Sequence, residues 1–448
     1  IPAGPFNFCA FPPPPVSVIV DFSNVLYKPT YTAAPFAPTS YTWTVDGAAG
    51  DYEFLTATNV AFPIIKFKEF RTYNVTITVN GNCAGSNSKT YVINVKPKPT
   101  ITNVNLNQVI CSGTSTAPTT LTSDLSGTTY SWSATSSPLA GLSPSTTSGT
   151  ANPIPAILLT NITPNSIATF TYSITPSLNG CSGNSQSMAI TVNPIATVNA
   201  ISNQVVCNGG NTAAVTFGSP TTGGTIVYNW TNNNTTIGLG ASGTGNIASF
   251  AAVNAGTSPV TATITVTPSY TSGGLTCTGT PKSFSITVNP TAQVNTVSNQ
   301  VVCTGGNTTA ITFGTGNTGG TTTYSWVNST PSIGLLASGS GNIAAFTAVN
   351  NGTAPVTATI TVTPTFTNGG VPCTGPTTSF TITVNPKATV NAVSNQVVCN
   401  GGNTTAVTFS SPTTGGTIVY NWVNNTTSIG LGASGTGDIA SFAAINTG

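Results

Sequence analysis

The sequence predicts an all-β chain built as a tandem array of antiparallel β-sandwiches. Three observations predict it: cysteines ruled at a fixed interval, apolar residues that alternate with threonine, and punctuation by Gly-Gly and Asn-Pro steps. Cys111, Cys207, Cys303 and Cys399 lie 96 residues apart, as do Cys181, Cys277 and Cys373. The two cysteines of a copy are 70 apart (181 − 111), which leaves 26 to the next copy (207 − 181). Self-similarity at such a period marks one supersecondary unit copied end to end.

The chain opens on a divergent copy, residues 1–96, whose Cys9 and Cys83 are 74 apart (83 − 9). A second copy follows over 97–192. Asn193-Pro194, Asn289-Pro290 and Asn385-Pro386 then open near-identical copies at 193–288, 289–384 and 385–448, the last cut short. Proline removes a ladder donor and holds the residue before it extended, so each Asn-Pro step predicts a short, stiff connection. Inside a copy the period is two. Ala262, Ile264 and Val266 share one face and the threonines between them the other, the pattern of a strand half buried and half wet. Phe284, Ile286 and Val288 repeat it in the last strand, and Gly223-Gly224 and Gly273-Gly274 mark turns.

Each copy carries one tryptophan: Trp43, Trp132, Trp230, Trp326 and Trp422. In the regular copies it stands 23 residues after the first cysteine (230 − 207), where an immunoglobulin-like sandwich keeps its core tryptophan. The constant cysteine spacing predicts bridges inside each copy: Cys9–Cys83, Cys111–Cys181, Cys207–Cys277 and Cys303–Cys373. Cys277 falls in the hairpin before the last strand, so the bridge is expected at one end of the sandwich. Closing a loop of this length stabilises a fold by roughly 4 kcal/mol in the chain-entropy model. The partner of Cys399 would lie 70 residues on, past Gly448, so the odd count of 9 reads as an array cut short rather than a reactive thiol.

The stretches Tyr41-Thr-Trp43-Thr-Val-Asp-Gly47 and Tyr73-Asn-Val-Thr-Ile-Thr-Val79 resemble the polycystic-kidney-disease (PKD) type of immunoglobulin-like repeat. With the Cys-Asn-Gly-Gly and Val-Asn-Pro punctuation, the chain is similar along its length to the PKD-like repeats of giant Bacteroidetes surface proteins, including gliding-motility adhesins. The resemblance implies immunoglobulin-like sandwiches, export by the type IX system and display as a long surface filament. The Gly-Asp-Gly usual after the tryptophan of that family is absent from the regular copies, and the chain contains no C-terminal sorting domain.

Charged residues make up 4% of the chain and histidine is absent. A formal charge of +2 over 448 residues gives no clustered basic surface, so nucleic acid is not an expected partner. Between Asp124 and Asp438 the only ionisable acid–base groups besides cysteine and tyrosine are Lys282 and Lys387, so acid–base catalysis has nothing to run on and no catalytic residue is assigned. Calcium sites need clustered carboxylates, which the regular copies lack; no metal and no cofactor is expected. A Lys–Asn crosslink would need a lysine in register, yet 282 + 96 is Thr378 and 387 − 96 is Thr291. The threonine faces could match an ordered lattice, as of ice or glycan; the plainer reading is a solvated outer sheet of good strand formers.

The first 98 residues differ. They hold Lys28, Lys66, Lys68, Arg71, Lys89, Lys96 and Lys98, which are seven of the nine basic residues, and 15 of the 31 Phe and Tyr residues. Their tetraproline, Pro12 to Pro15, is a rigid extended segment. This copy reads either as a binding head or as a capping module with a larger core. Paired cysteines and the lack of any apolar run of membrane-spanning length point outside the cell. The expected function is an extracellular structural and adhesive protein: a disulfide-pinned filament or stalk on a bacterial surface, serving adhesion or gliding. Expected partners are a surface polysaccharide or other extracellular ligand, a second copy, or an outer-membrane anchor. Alternatives are a carbohydrate-binding accessory array of a secreted hydrolase, and a filament subunit in which Ile1 to Phe8 complete a neighbour's sheet.

Overall fold

A computed structural model of the chain describes residues 5–10, 18–22, 38–81, 86–138 and 141–448. Lys28, the tetraproline, Cys83 and the first four residues lie outside the described residues. The fold is all-β, and its described residues include 3₁₀ turns at Thr235–Ile237, Pro331–Ile333 and Thr427–Ile429. It divides into two compact units. One comprises residues 1–199, 217–229 and 266–282, the other 200–216, 230–265 and 283–448.

In the first unit, the sheet of repeat one runs Phe6–Ala10, Ser86–Pro97, Thr72–Gly81, Pro38–Val45. A second layer runs Val18–Asp21, Ile64–Phe67, Tyr52–Phe54. Alternation explains the core between them. In Ser86–Pro97 it turns Ile93 and Val95 inward, its sheet neighbours add Tyr73 and Trp43, and the facing layer supplies Val20, Ile65 and Phe67. Repeat two has the strand order Thr146–Gly149, Thr129–Ser137, Ala168–Leu178, Gln186–Asn193, Gln108–Cys111. All its neighbours are antiparallel except the last pair, in which Gln108–Cys111 lies parallel to Gln186–Asn193 with Cys111 opposite Asn193.

In the second unit, repeat four repeats that order: Ser338–Ser340, Thr321–Asn328, Val356–Asn368, Thr378–Asn385, Gln300–Cys303. Its parallel pair again sets Cys303 opposite Asn385, as Cys207 stands opposite Asn289 in repeat three. Cys9 faces Lys96 in the same way in repeat one. In repeats two, three and four the first cysteine therefore ends a parallel edge strand, beside the asparagine that ends the last strand, and in repeat one Cys9 and Lys96 stand one residue before those ends. In repeat five, Asn421–Val423 pairs with Ser434–Thr436.

Trp43, Trp132, Trp230 and Trp326 are buried, and Trp422 is half buried. A glycine lies flat against the ring in four copies. An added Cβ at Gly149, Gly243, Gly339 or Gly435 would stand 2.5 Å or less from a tryptophan ring carbon, so no side chain fits there.

Candidate functional site

The bridges are not where the spacing placed them. Cys9 bonds Cys181, Cys111 bonds Cys277 and Cys207 bonds Cys373, spanning 172, 166 and 166 residues. Each joins the first cysteine of one repeat to the second cysteine of the next. Pairing within a copy, as for Cys111 with Cys181 or Cys207 with Cys277, is thus overturned. Cys303, expected to bond Cys373, is free and exposed, as is Cys399. Cys83, the expected partner of Cys9, lies outside the described residues.

Strand sense explains the correction. The last strand of repeat two runs from Gln186 to Asn193, and Cys111 lies beside its far end. Cys181 sits in the short strand Cys181–Ser182, before that strand's start. Seven steps at ~3.3 Å separate the two ends by about 23 Å, whereas bridged Cα atoms lie within about 7 Å. The far end of the last strand leads through Asn-Pro into the next repeat, whose own second cysteine stands before its own last strand and so at the junction. Cα atoms of Cys111 and Cys277 are 5.6 Å apart.

Other residues complete the junction. Asn193 is fully buried, and its amide donates to the carbonyl of Ser272 at 3.0 Å. Asn289 does the same toward Asn368 at 3.0 Å, and the Asn368 amide returns a bond to the Asn289 side-chain oxygen at 2.9 Å. Lys96 takes that place at the first junction, donating from Nζ to the carbonyl of Asn179 at 3.1 Å. The Asn of the first two Asn-Pro steps, Asn193 and Asn289, read in the sequence only as the residue held by proline, is thus a clamp on the hairpin of the following repeat. That hairpin turns through two residues of positive φ, Gly273-Gly274, Gly369-Gly370 or Asn179-Gly180, as a type I′ turn requires. Gly273 lies against Val109 and Gly369 against Val205.

Among the described residues no group of three or more His, Cys, Asp or Glu could hold a metal. Repeat one concentrates the charge, and much of it is spent internally. Arg71 donates from Nη1 to Asp51 at 3.0 Å, lies 3.8 Å from Asp46 and stands over the Tyr73 ring, 5.0 Å from its centroid. Asp46 accepts from the amide nitrogen and side-chain amide of Asn74 at 2.8 and 2.7 Å. Lys68 pairs with Glu53 at 3.0 Å, and the hydrogen bond and charge of Lys68 hold Glu53 below the usual carboxylate range. Burial pushes the Tyr73 phenol up; its hydroxyl lies 3.0 Å from the Asp51 carbonyl. Of the aromatics, Phe22, Phe67 and Tyr73 are fully buried and Trp43 nearly so, which makes them core rather than contact surface.

The threonine faces pair hydroxyls across strands. Thr261 meets Thr287, Thr357 meets Thr383 and Thr265 meets Ser283, each pair of hydroxyls 2.9 Å apart. Such cross-strand hydroxyl pairs are an ordinary feature of a solvated sheet face, although each bond uses only one of the pair's two O–H donors.

Residues 108–196 match the family model of the PKD-like domain. No protein of curated function matches the chain in sequence. Among solved structures, the human desmocollin-1 ectodomain aligns over 98% of this chain and 92% of its own at 10% identity, with a TM-score of 0.27. Drosophila N-cadherin EC1-4 aligns over 86% and 99% at 12% identity and a TM-score of 0.26. The N-terminal eight Ig domains of Down Syndrome Cell Adhesion Molecule align over 99% and 64% at 11% identity and a TM-score of 0.23.

Proposed function

We propose that this chain is an extracellular structural and adhesive array, displayed on a bacterial surface as a stalk that serves adhesion or gliding. The observation that carries the reading is the set of three bridges that join repeats one to four in series. Disulfides persist in oxidising compartments, and bridges between repeats tie neighbouring repeats covalently into a continuous element. Low charge leaves that element indifferent to ionic strength. The bacterial setting, and with it type IX export and gliding, rests on the likeness of the punctuation and strand motifs to surface-adhesin repeats. Paired charges and buried aromatics favour repeat one as a cap of the array, with recognition spread over the repeats or carried elsewhere.

The test is attachment by cells displaying the whole chain or residues 97–448 at matched surface density. The array reading expects both to adhere above undecorated cells. No gain for either sinks the adhesive part, and loss confined to the shorter chain returns recognition to residues 1–96.

A further inference from the structure

At two junctions the same three elements receive a hairpin: a valine on the parallel edge strand, the cysteine that ends it, and the asparagine that ends its neighbour. These are Val109, Cys111 and Asn193 at one, and Val205, Cys207 and Asn289 at the other. Covered, the two valines and two cysteines are only partly exposed and both asparagines are fully buried. Repeat four presents the third set uncovered. Its strand Gln300–Cys303 keeps the same parallel register, with Cys303 opposite Asn385. Yet Val301 is 68% exposed, Cys303 is exposed and free, and Asn385 is half buried.

We infer that Val301, Cys303 and Asn385 form a preassembled covalent dock whose occupant is the cysteine-bearing Gly-Gly hairpin of a further repeat of this type. The required chemistry is read from the two occupied docks. The first residue of the turn is a glycine at positive φ in both, close enough to the dock valine that a Cβ at Gly273 or Gly369 would stand 3.1 or 3.0 Å from it. The residue before the turn offers its carbonyl to the dock asparagine at 3.0 Å, as Ser272 and Asn368 do. The cysteine follows the second glycine by three residues, as Cys277 follows Gly274. Bond formation removes two thiol protons and two electrons from the cysteine pair. A disulfide oxidant, such as oxidised glutathione, takes the electrons and leaves as two thiols.

The dock needs only the junction geometry and would stand if adhesion were assigned elsewhere. It is tested by a chain in which a second copy of residues 289–384 replaces residues 385–448, oxidised in a glutathione buffer and mapped by non-reducing peptide analysis. This chain offers the new hairpin cysteine two partners: Cys303, or the first cysteine of its own copy. The expected product is a fourth bridge between repeats, on Cys303. A bridge inside the added copy, or a Cys303 still open to iodoacetamide, overturns the inference. A second variant replaces the added hairpin cysteine by serine, so that only docking can act. Alkylation of Cys303 should then slow at least tenfold relative to the original chain, and Asn385→Ala with Val301→Asp should restore the original rate. Unchanged alkylation in the serine variant would show that the surface has no affinity for the hairpin.

Discussion

Cys111 and Cys277 stand 166 residues apart in the chain and 5.6 Å apart at their Cα atoms, in consecutive repeats. The consequence is that repeats two, three and four cannot be cut out with their covalent bonding intact. Peptide mapping without reduction should return Cys9–Cys181, Cys111–Cys277 and Cys207–Cys373. A dominant Cys111–Cys181 or Cys207–Cys277 product would contradict the junction geometry. Replacing Cys207 by serine should cost about 2–5 kcal/mol at that junction and leave Cys373 open to alkylation.

The buried clamp can be tested without touching sulfur. Asn289→Ala removes the donor to the Asn368 carbonyl and the acceptor for the Asn368 amide. An expected loss of about 1–3 kcal/mol follows from leaving buried polar groups unpaired, measured by urea unfolding of the oxidised protein. Loss of less than a few tenths of a kcal/mol would mean that the disulfide alone holds the junction.

Gly339→Ala places a methyl 2.2 Å from the Trp326 ring, whereas Gly432→Ala adds one where nothing lies within 4 Å. The first should destabilise by roughly 1–3 kcal/mol through overpacking and the second by less than about 0.5. Equal unfolding midpoints for the two variants would refute the ring contact.

Stability should be flat from about pH 5 to 9, since the chain has no histidine to titrate there. On the acid side, Glu53 is lowered from 4.5 by Lys68, and Asp124 is lowered from 3.8 because hydrogen bonds from Thr100 and Ser123 outweigh the burial that opposes them. Carboxyls with depressed values stabilise the fold above their unfolded range and lose that contribution as pH falls through it, so softening should begin below about pH 4. On the alkaline side, burial raises Tyr172, Tyr228, Tyr270 and Tyr324 above 10.0. Their contribution is complete below 10.0 and is lost as pH climbs past their raised values. Thermal melts across pH 3 to 12 check both edges; a midpoint that falls between pH 6 and 8 would contradict the account.

Strand periodicity made the fold class legible, because Ala262, Ile264 and Val266 can alternate with threonine only on a pleated, half-buried strand. The bridges were not legible, although all the cysteines were in view. Spacing along a chain says nothing about which end of a sheet a residue occupies. Only the parallel pairing of Cys207 with Asn289 reveals that the two cysteines of a copy sit at opposite ends. Parallel edge strands leave no local signal, since Gln204–Cys207 reads as any short apolar strand. The clamp was hidden for a related reason. The amide of Asn193 meets a carbonyl 79 positions away, and no local pattern in the sequence announces such a contact.

The staggered bridges also set how far the chain can be drawn out. Between Cys9 and Cys373 the backbone makes 364 steps (373 − 9), but a pull on those two residues need not travel along it. It crosses from Cys9 to Cys181, follows 26 steps of chain (207 − 181) and crosses again from Cys207 to Cys373. At ~3.5 Å per residue, the slack available under tension is on the order of 90 Å with the bridges closed and on the order of 1,300 Å once they are reduced. Even with every sheet torn open, the span from Cys9 to Cys373 would stay short while oxidised, so its reach under load is decided by sulfur chemistry and not by the strength of its folds.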